Sequence, residues 1–223
     1  MHTTLILGAS RGLGLELVRQ ALEAGERVIA SARSDEGLQR LQALGAQALR
    51  LDVANPASVS GLAWQLDGEK IDTAWCVAGA MSARSHATEP PTQVDFDRVM
   101  HTNVMGTMQL IPQVAPLVEG AQGRMVFLSS IMGQIGGVSS SGAWLYRVSK
   151  AALNMAVASA QLDYPQAIFT CMHPGWVQTD MGGTAAPVTP SDSVAGMRRV
   201  VAALTPADRG AFLQYNGQRF DQW

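Results

Sequence analysis

Asn103, Ser130, Tyr146 and Lys150 are four side chains whose types suit carbonyl chemistry, and they occur in that order along the chain. Tyr146 and Lys150 stand four apart, so on a helix they stack on one face. A phenol with a pKa near 10 is a poor acid–base catalyst at neutral pH, and a nearby ammonium favours its ionised form. The spacing therefore predicts a Tyr146 of lowered pKa, with Lys150 also able to donate to a ribose. Ser129-Ser130 ends an apolar run, which puts a hydroxyl within reach of a substrate carbonyl. Taken alone, Ser130 reads first as a turn- or helix-capping serine. Asn103 falls on a helical stripe with Phe96, Met100, Thr107, Leu110 and Val114, which places it facing the core. A buried amide needs its bonds made, so Asn103 either serves a bend near Gly106 or organises a polar chain toward Lys150.

A second set of residues suits phosphates. Gly8, Ala9, Ser10, Arg11, Gly12, Leu13 and Gly14 follow the first apolar run and open a helical pattern. Three glycines at a strand-to-helix junction permit a tight turn, a close backbone approach to a pyrophosphate and close helix–strand contact. The helix N-terminus adds free N–H groups and the positive end of its dipole. This context points to a dinucleotide. At the end of the second run an NAD-specific protein would carry an acidic residue for the ribose 2′-hydroxyl. Here Ala32 and Arg33 stand there, and Arg11 projects from the glycine turn, so two guanidiniums can converge on a 2′-phosphate. The expected cofactor is NADP(H). Asp52, at the end of the third run, can accept from an adenine amino group or make a local turn bond ahead of Asn55.

The elements that must position these groups are legible in the apolar runs. Residues 4–7, 27–32, 46–51, 72–77, 124–129, 167–172 and 211–215 are mostly continuous rather than alternating, as in strands covered on both faces. Helical patterns with readable ends lie between them: Leu17, Val18, Ala21 and Leu22 stopped by Gly25, Asn55-Pro56 as a cap, and Thr189-Pro190 as another. Repeated βα units predict one α/β domain over residues 1–223, a doubly wound parallel sheet of about seven strands flanked by helices. Two long stretches, 80–95 and 175–189, leave the carboxyl edge of that sheet, and the second is expected to close over a substrate. Met132, Trp144, Trp176 and Met181 are candidates for an apolar substrate pocket, with packing as the rival reading.

Composition narrows the class. Of 223 residues 15% are charged, net charge is −2 and the pI is about 6.1, a balance that argues against nucleic acid as a partner. No run approaches the ~18 apolar residues of a membrane span, and the first residues lack a secretory pattern. Cys76 and Cys171 end apolar runs and are expected as buried free thiols, so the expected setting is the cytoplasm. Nothing in the pattern calls for a metal.

Taken together, Gly8-x-x-x-Gly12-x-Gly14, Leu51-Asp52-Val53, Asn103, Ser130, Tyr146-x-x-x-Lys150 and Pro174-Gly175-Trp176-Val177-x-Thr179 resemble the short-chain dehydrogenase/reductase family. The resemblance is closest to its compact branch of C-factor and Sniffer-type carbonyl reductases, echoed in residues 142–147, 173–176, 179–183 and 215–217. It implies a Rossmann-type fold and an Asn103–Ser130–Tyr146–Lys150 tetrad. Tyr146 would protonate a carbonyl oxygen that Ser130 polarises, Lys150 would bind the ribose, and Asn103 would hold a relaying water. Pro174, Gly175, Val177 and Thr179 would border the nicotinamide, with Thr179 on its carboxamide, and Val53, Ala78 and Gly79 would border the adenosine. Departures occur at Leu7, where the family usually has threonine, and at Cys76-Val77, which replace two asparagines and leave only backbone contacts from Ala78 and Gly79. The expected activity is an NADP(H)-dependent oxidoreductase acting on a small carbonyl or alcohol, apolar or aromatic. The alternative is a non-catalytic dinucleotide-sensing regulator of the same fold. An extended sugar-nucleotide enzyme would need a larger C-terminal part. Small residues on several faces of the helix over 145–162 suggest a homodimer or homotetramer.

Overall fold

Every residue of Thr3–Leu7 is buried, and this run forms β1 at the centre of a seven-stranded sheet. The computed structural model describes residues 1–82, 86–221 and 223, so part of the 80–95 stretch lies outside the described residues. The other strands are β2 (Arg27–Ala32), β3 (Gln47–Arg50), β4 (Thr73–Cys76), β5 (Arg124–Leu128), β6 (Ile168–His173) and β7 (Phe212–Gln214). All pair in parallel in the order β3-β2-β1-β4-β5-β6-β7. The expected single-domain, doubly wound α/β fold is the observed one, and each strand ends within one residue of its apolar run. The order reverses between β1 and β4, and open α/β sheets bind ligands outside the carboxyl ends of strands at such a switch point.

Helices cover both faces because both faces are apolar. Leu5, Leu7, Ala74, Cys76, Phe127 and Phe169 pack with α6 (Gly106–Gly120) and α7 (Trp144–Ala160) through Leu110, Val114, Leu153 and Val157. Ile6, Trp75, Val126 and Met172 pack with α1 (Gly12–Glu23) and α8 (Pro190–Ala202) through Leu17, Val18, Val194 and Met197. The remaining helices are α2 (Asp35–Ala43), the short α3 (Pro56–Ser60) and α4 (Leu62–Gln65), and α5 (Gln93–Met100). Caps fall where the sequence places them: the side chains of Asn55 and Thr189 accept from the backbone N–H groups of Ala57 and Asp192, and Gly25 takes φ +75° after α1.

The stripe running from Phe96 to Val114 is not one helix. Between α5 and α6 lies a π-helical turn, His101–Met105. Its wider loop rotates the preceding helix off the stripe, so Phe96 is 41% exposed while Asn103, Thr107, Leu110 and Val114 stay buried. Such turns concentrate at functional sites. Gly106 closes this one against the segment after β3, where an added Cβ would lie 2.5 Å from the Val53 carbonyl oxygen. Inside α6, Pro112 and Pro116 face solvent, so the carbonyls that lose a helical partner can bond water.

Replacing Gly106 by Ala should force backbone apart at that contact. The expected loss is about 1–3 kcal/mol in urea unfolding, and an unchanged midpoint would show that the contact tolerates a methyl group.

Candidate active site

The glycine turn joins β1 to α1 at the switch point. Gly8 takes φ +94°, and a Cβ there would sit 2.7 Å from the Ala78 nitrogen, so the chain after β4 lies directly against the turn. A Cβ on Gly14 would fall 2.2 Å from the Gly8 carbonyl oxygen. Only glycine fits either place. The residue that caps α1, Arg11, is extended, and among the described residues no side chain bonds the helix's first N–H groups. Those donors and the positive helix end suit a pyrophosphate, which is the observation that fits a dinucleotide to this turn. Gly12 takes φ +54°, and its missing Cβ would lie 3.6 Å from the Thr179 methyl, so the turn also touches the segment after β6.

Asn103, Ser130, Tyr146 and Lys150 are all buried and come from one edge of the sheet. Asn103 makes three bonds: its Oδ1 accepts from Ala80 N at 2.7 Å, and its Nδ2 donates to Ala80 O at 2.8 Å and to Ser149 Oγ at 2.9 Å. Ser149 in turn donates to the Tyr146 carbonyl at 2.8 Å. Of the two sequence readings of Asn103, the bend near Gly106 describes its place, and the polar chain takes a different course from the one expected. It sits in the bend, and its polar chain reaches the α7 turn that carries Tyr146 and Lys150 rather than Lys150 itself. Gly79 separates the two groups: a Cβ there would lie 3.6 Å from Asn103 Oδ1 and 3.7 Å from Lys150 Nζ. Lys150 donates to the Leu128 carbonyl at 2.7 Å, which leaves its other hydrogens for a ligand. Ser130 caps a 3₁₀ turn, Ile131–Gly133, accepting from Met132 N at 3.1 Å, and its own hydroxyl hydrogen stays available to donate.

The electrostatics correct the sequence expectation. Tyr146 does not have a lowered pKa: burial pushes it up to about 12, with the Ser130 hydroxyl opposing the rise. Lys150 is itself brought down to about 8 by burial. Its Nζ lies 5.7 Å from the centre of the Tyr146 ring, and its close bond goes to the Leu128 carbonyl. Desolvation penalises both charged forms, opposed by the Ser130 hydroxyl at Tyr146 and by Cys171 at Lys150. At neutral pH the pair is a protonated phenol beside an ammonium that titrates within reach of physiological pH.

The other sequence candidates divide. Arg33 is exposed at the end of β2, and its carbonyl accepts from Arg50. Arg11 does not converge with it: the Arg11 guanidinium pairs with Asp180 at 2.9 Å. An exposed arginine follows the nearest carboxylate, and Asp180 is that group. Asp52 Oδ1 makes the local turn bond, accepting from Ala54 N at 3.1 Å, while Asp52 Oδ2 faces no protein donor among the described residues. Val53 is buried beside Gly106. Pro174 O accepts from the buried Ser193, and Gly175, at φ +87°, lies under the Tyr215 ring. Val177 bridges to Val188, and Thr179 folds back on the Val177 carbonyl, so the 175–189 stretch is pinned at several points. Of the pocket candidates, Trp176 and Met181 are 51% and 45% exposed, and Trp176 Nε1 donates to the Gly182 carbonyl. Met132 and Trp144 are half-buried, and Trp144 Nε1 has no partner among the described residues.

Four residues that the sequence left without a role, two of them inside the stretches that carry the resemblance, bear on the site. Ser149 was legible as the neighbour of Lys150. Ala143, which begins α7 in the left-handed region at φ +56°, carries no sequence signal because an alanine gives none. Arg40, donating to the Ser10 carbonyl at 2.7 Å, and Asp180 make contacts that only the tertiary structure creates.

Comparison with known proteins places this geometry in a class. The short chain dehydrogenase family profile matches residues 2–188, and the chain belongs to that family, the short-chain dehydrogenases/reductases. It is 38% identical over 166 residues to C-signal of Myxococcus xanthus, covering 73% of this chain and 87% of that one. Among solved structures it resembles the carbonyl reductase Sniffer of D. melanogaster, with a TM-score of 0.92 and 28% identity over all of both chains. It also resembles an NADPH-bound carbonyl reductase from chicken fatty liver, with a TM-score of 0.88 and 30% identity over 100% of this chain and 99% of that one. The fold is thus that of an oxidoreductase of the C-factor and Sniffer type. Among the described residues no helix is long and apolar enough to cross a membrane.

The raised phenol is directly measurable. Tyrosinate absorbance, titrated in the wild type and in Tyr146→Phe, should give a difference curve with a midpoint near 12. A midpoint below the ordinary value near 10 would restore the acidified phenol.

Proposed function

We propose that the chain is an NADP(H)-dependent oxidoreductase that interconverts a carbonyl and an alcohol, with an apolar or aromatic small molecule as substrate. The observation that carries this reading is a protonated, buried Tyr146 beside Ser130, on the same sheet edge as the glycine turn. When bound, the reduced nicotinamide supplies a hydride for the carbonyl carbon. Ser130 donates its hydroxyl hydrogen to the carbonyl oxygen, and Tyr146 Oη gives that oxygen its proton as negative charge develops there. A phenol of high pKa stays protonated at neutral pH, and a developing alkoxide is more basic than the phenolate left behind. Lys150 holds a positive charge beneath the ring, which stabilises that phenolate and offers N–H donors to the ribose. Arg33, whose guanidinium has no partner among the described residues, would meet a 2′-phosphate, and Ala32 and Arg33 standing where NAD-specific proteins carry an acidic residue support NADP(H) over NAD(H). Asp52, Val53, Ala78 and Gly79 border the adenosine side, and Pro174, Gly175, Val177 and Thr179 the nicotinamide side. Met132, Trp144, Trp176 and Met181 offer apolar surface to the substrate. Buried free Cys76 and Cys171 support a cytoplasmic setting, and exposed Val148 and Met155 on α7 support a homodimer or homotetramer.

The likeness to C-signal favours one second reading, a dinucleotide-sensing signalling protein without turnover. NADPH oxidation across ketones, aldehydes and quinones separates the two. Turnover with some member of that panel supports the enzyme, whereas intact NADPH binding with no turnover supports the sensor.

Tyr146→Phe should cut turnover by about 10²–10⁴-fold while leaving NADPH binding intact by calorimetry; near-full activity would remove Tyr146 from the proton step. Because Lys150 titrates near 8, kcat/KM for reduction should fall as pH rises through about 8, when its ammonium loses charge. A profile flat from pH 6 to 10 would mean the ammonium is not needed. Arg33→Ala should weaken NADPH much more than NADH, and an equal loss for both would move the 2′-phosphate site elsewhere.

A further inference from the structure

Arg11 stands between the end of β2 and the segment after β6. On one side, Ser10 lies beside the end of β2: a Cβ on Gly37 would be 3.1 Å from Ser10 Cβ and 2.8 Å from Ala32 Cβ. That is the side on which Arg33 sits. On the other side, the Thr179 methyl rests near Gly12, and the next residue is Asp180. The guanidinium takes the second option, Nη1 to Asp180 Oδ2 at 2.9 Å, across 169 residues of chain.

Asp180 is held in place rather than wandering. Gly182 N donates to Thr179 Oγ1 at 3.2 Å, Gly183 N to the Thr179 carbonyl at 2.8 Å, and Trp176 Nε1 to the Gly182 carbonyl at 2.8 Å. A Cβ on Gly182 would fall 2.0 Å from the Val177 carbonyl oxygen, so this turn admits no side chain at that position. Asp180 is thereby presented at the tip of a tight turn, with Arg11 its one partner among the described residues. The pair itself is weak, because its side chains are 73% and 78% exposed. A weak pair is one that a better anion can break.

We propose that Asp180 sets the cofactor selectivity of the cleft by competing with a 2′-phosphate for Arg11. The proposal rests on the NADP(H) reading above. A phosphate dianion attracts a guanidinium more strongly than a carboxylate does and can accept its fork bidentately. Recruiting Arg11 to it costs the Arg11–Asp180 pair. NADH, which lacks that phosphate, binds with the pair intact. Asp180 therefore lowers the affinity for NADPH selectively and narrows the gap between the two cofactors. Among the described residues its carboxylate bonds neither the glycine-turn backbone nor the tetrad, so it acts as a specificity-determining residue through Arg11.

Calorimetric dissociation constants for NADPH and NADH in the wild type, Asp180→Asn, Arg11→Ala and the double variant test this. In Asp180→Asn the NADPH constant should tighten by about two- to fivefold, the range spanned by an exposed ion pair, with NADH unchanged. In the Arg11→Ala background the same substitution should do nothing. Two results overturn the proposal: equal weakening of both cofactors by Asp180→Asn, which makes the pair a clasp on the 175–189 segment, or a tightening that persists without Arg11, which makes it a general charge effect. If the wild type does not favour NADPH and Arg33→Ala leaves its preference unchanged, the NADP(H) reading falls, and this inference with it.

Discussion

The site hangs on one buried amide. Asn103 satisfies both backbone groups of Ala80 and bonds Ser149 as well, joining the π-helical turn, the segment after β4 and the first turns of α7. An orphaned amide in that position would cost roughly 1–3 kcal/mol per unmade bond, so the three elements are held in one arrangement. The irregular turn is what brings the amide to Ala80, and Gly106 is what lets the turn approach the Val53 carbonyl. Each local exception supports the next: an extra residue in a helix, a glycine where a side chain would clash, and then a polar group in the core with every bond made.

Burial governs the chemistry in the same way. Tyr146 and Lys150 are kept from water by the elements that Asn103 locks together, and desolvation moves both toward their neutral forms. A water-filled cleft would leave the phenol near its ordinary pKa and the ammonium fully charged. The cleft as built supplies a proton donor that does not ionise at neutral pH and a cation whose charge is conditional on pH. Other apolar surroundings do the same to His173, whose imidazole is brought down to about 4 by burial.

Much of this was legible in the sequence because it depends on local signals. Continuous apolar runs located the seven strands, since a strand covered on both faces has no polar side to alternate. Gly25, Asn55 and Thr189 marked helix ends because cap geometry restricts residue type. Spacing placed Tyr146 and Lys150 together. What it could not give were quantities set by the assembled environment. The Tyr146–Lys150 spacing predicts attraction but says nothing of the burial that overrides it. The Phe96-to-Val114 stripe obeys a helical period that one inserted turn defeats, and no residue type announces that turn. Arg11 looks free to meet a phosphate until the fold brings Asp180 beside it.

The sheet register also sets apart the two sulfur atoms. Cys76 pairs with Phe127, and Phe127 with Cys171, so the thiols flank one aromatic residue on alternate strands. Two strand spacings put their backbones about 9–10 Å apart, beyond the ~7 Å that a covalent bridge tolerates. Both groups lie deep in the apolar layer, where burial holds each thiol near 12 and so uncharged and unreactive. Glutathione or an oxidant in the surroundings therefore finds no internal crosslink to make or break, and the cohesion of this sheet is independent of redox potential.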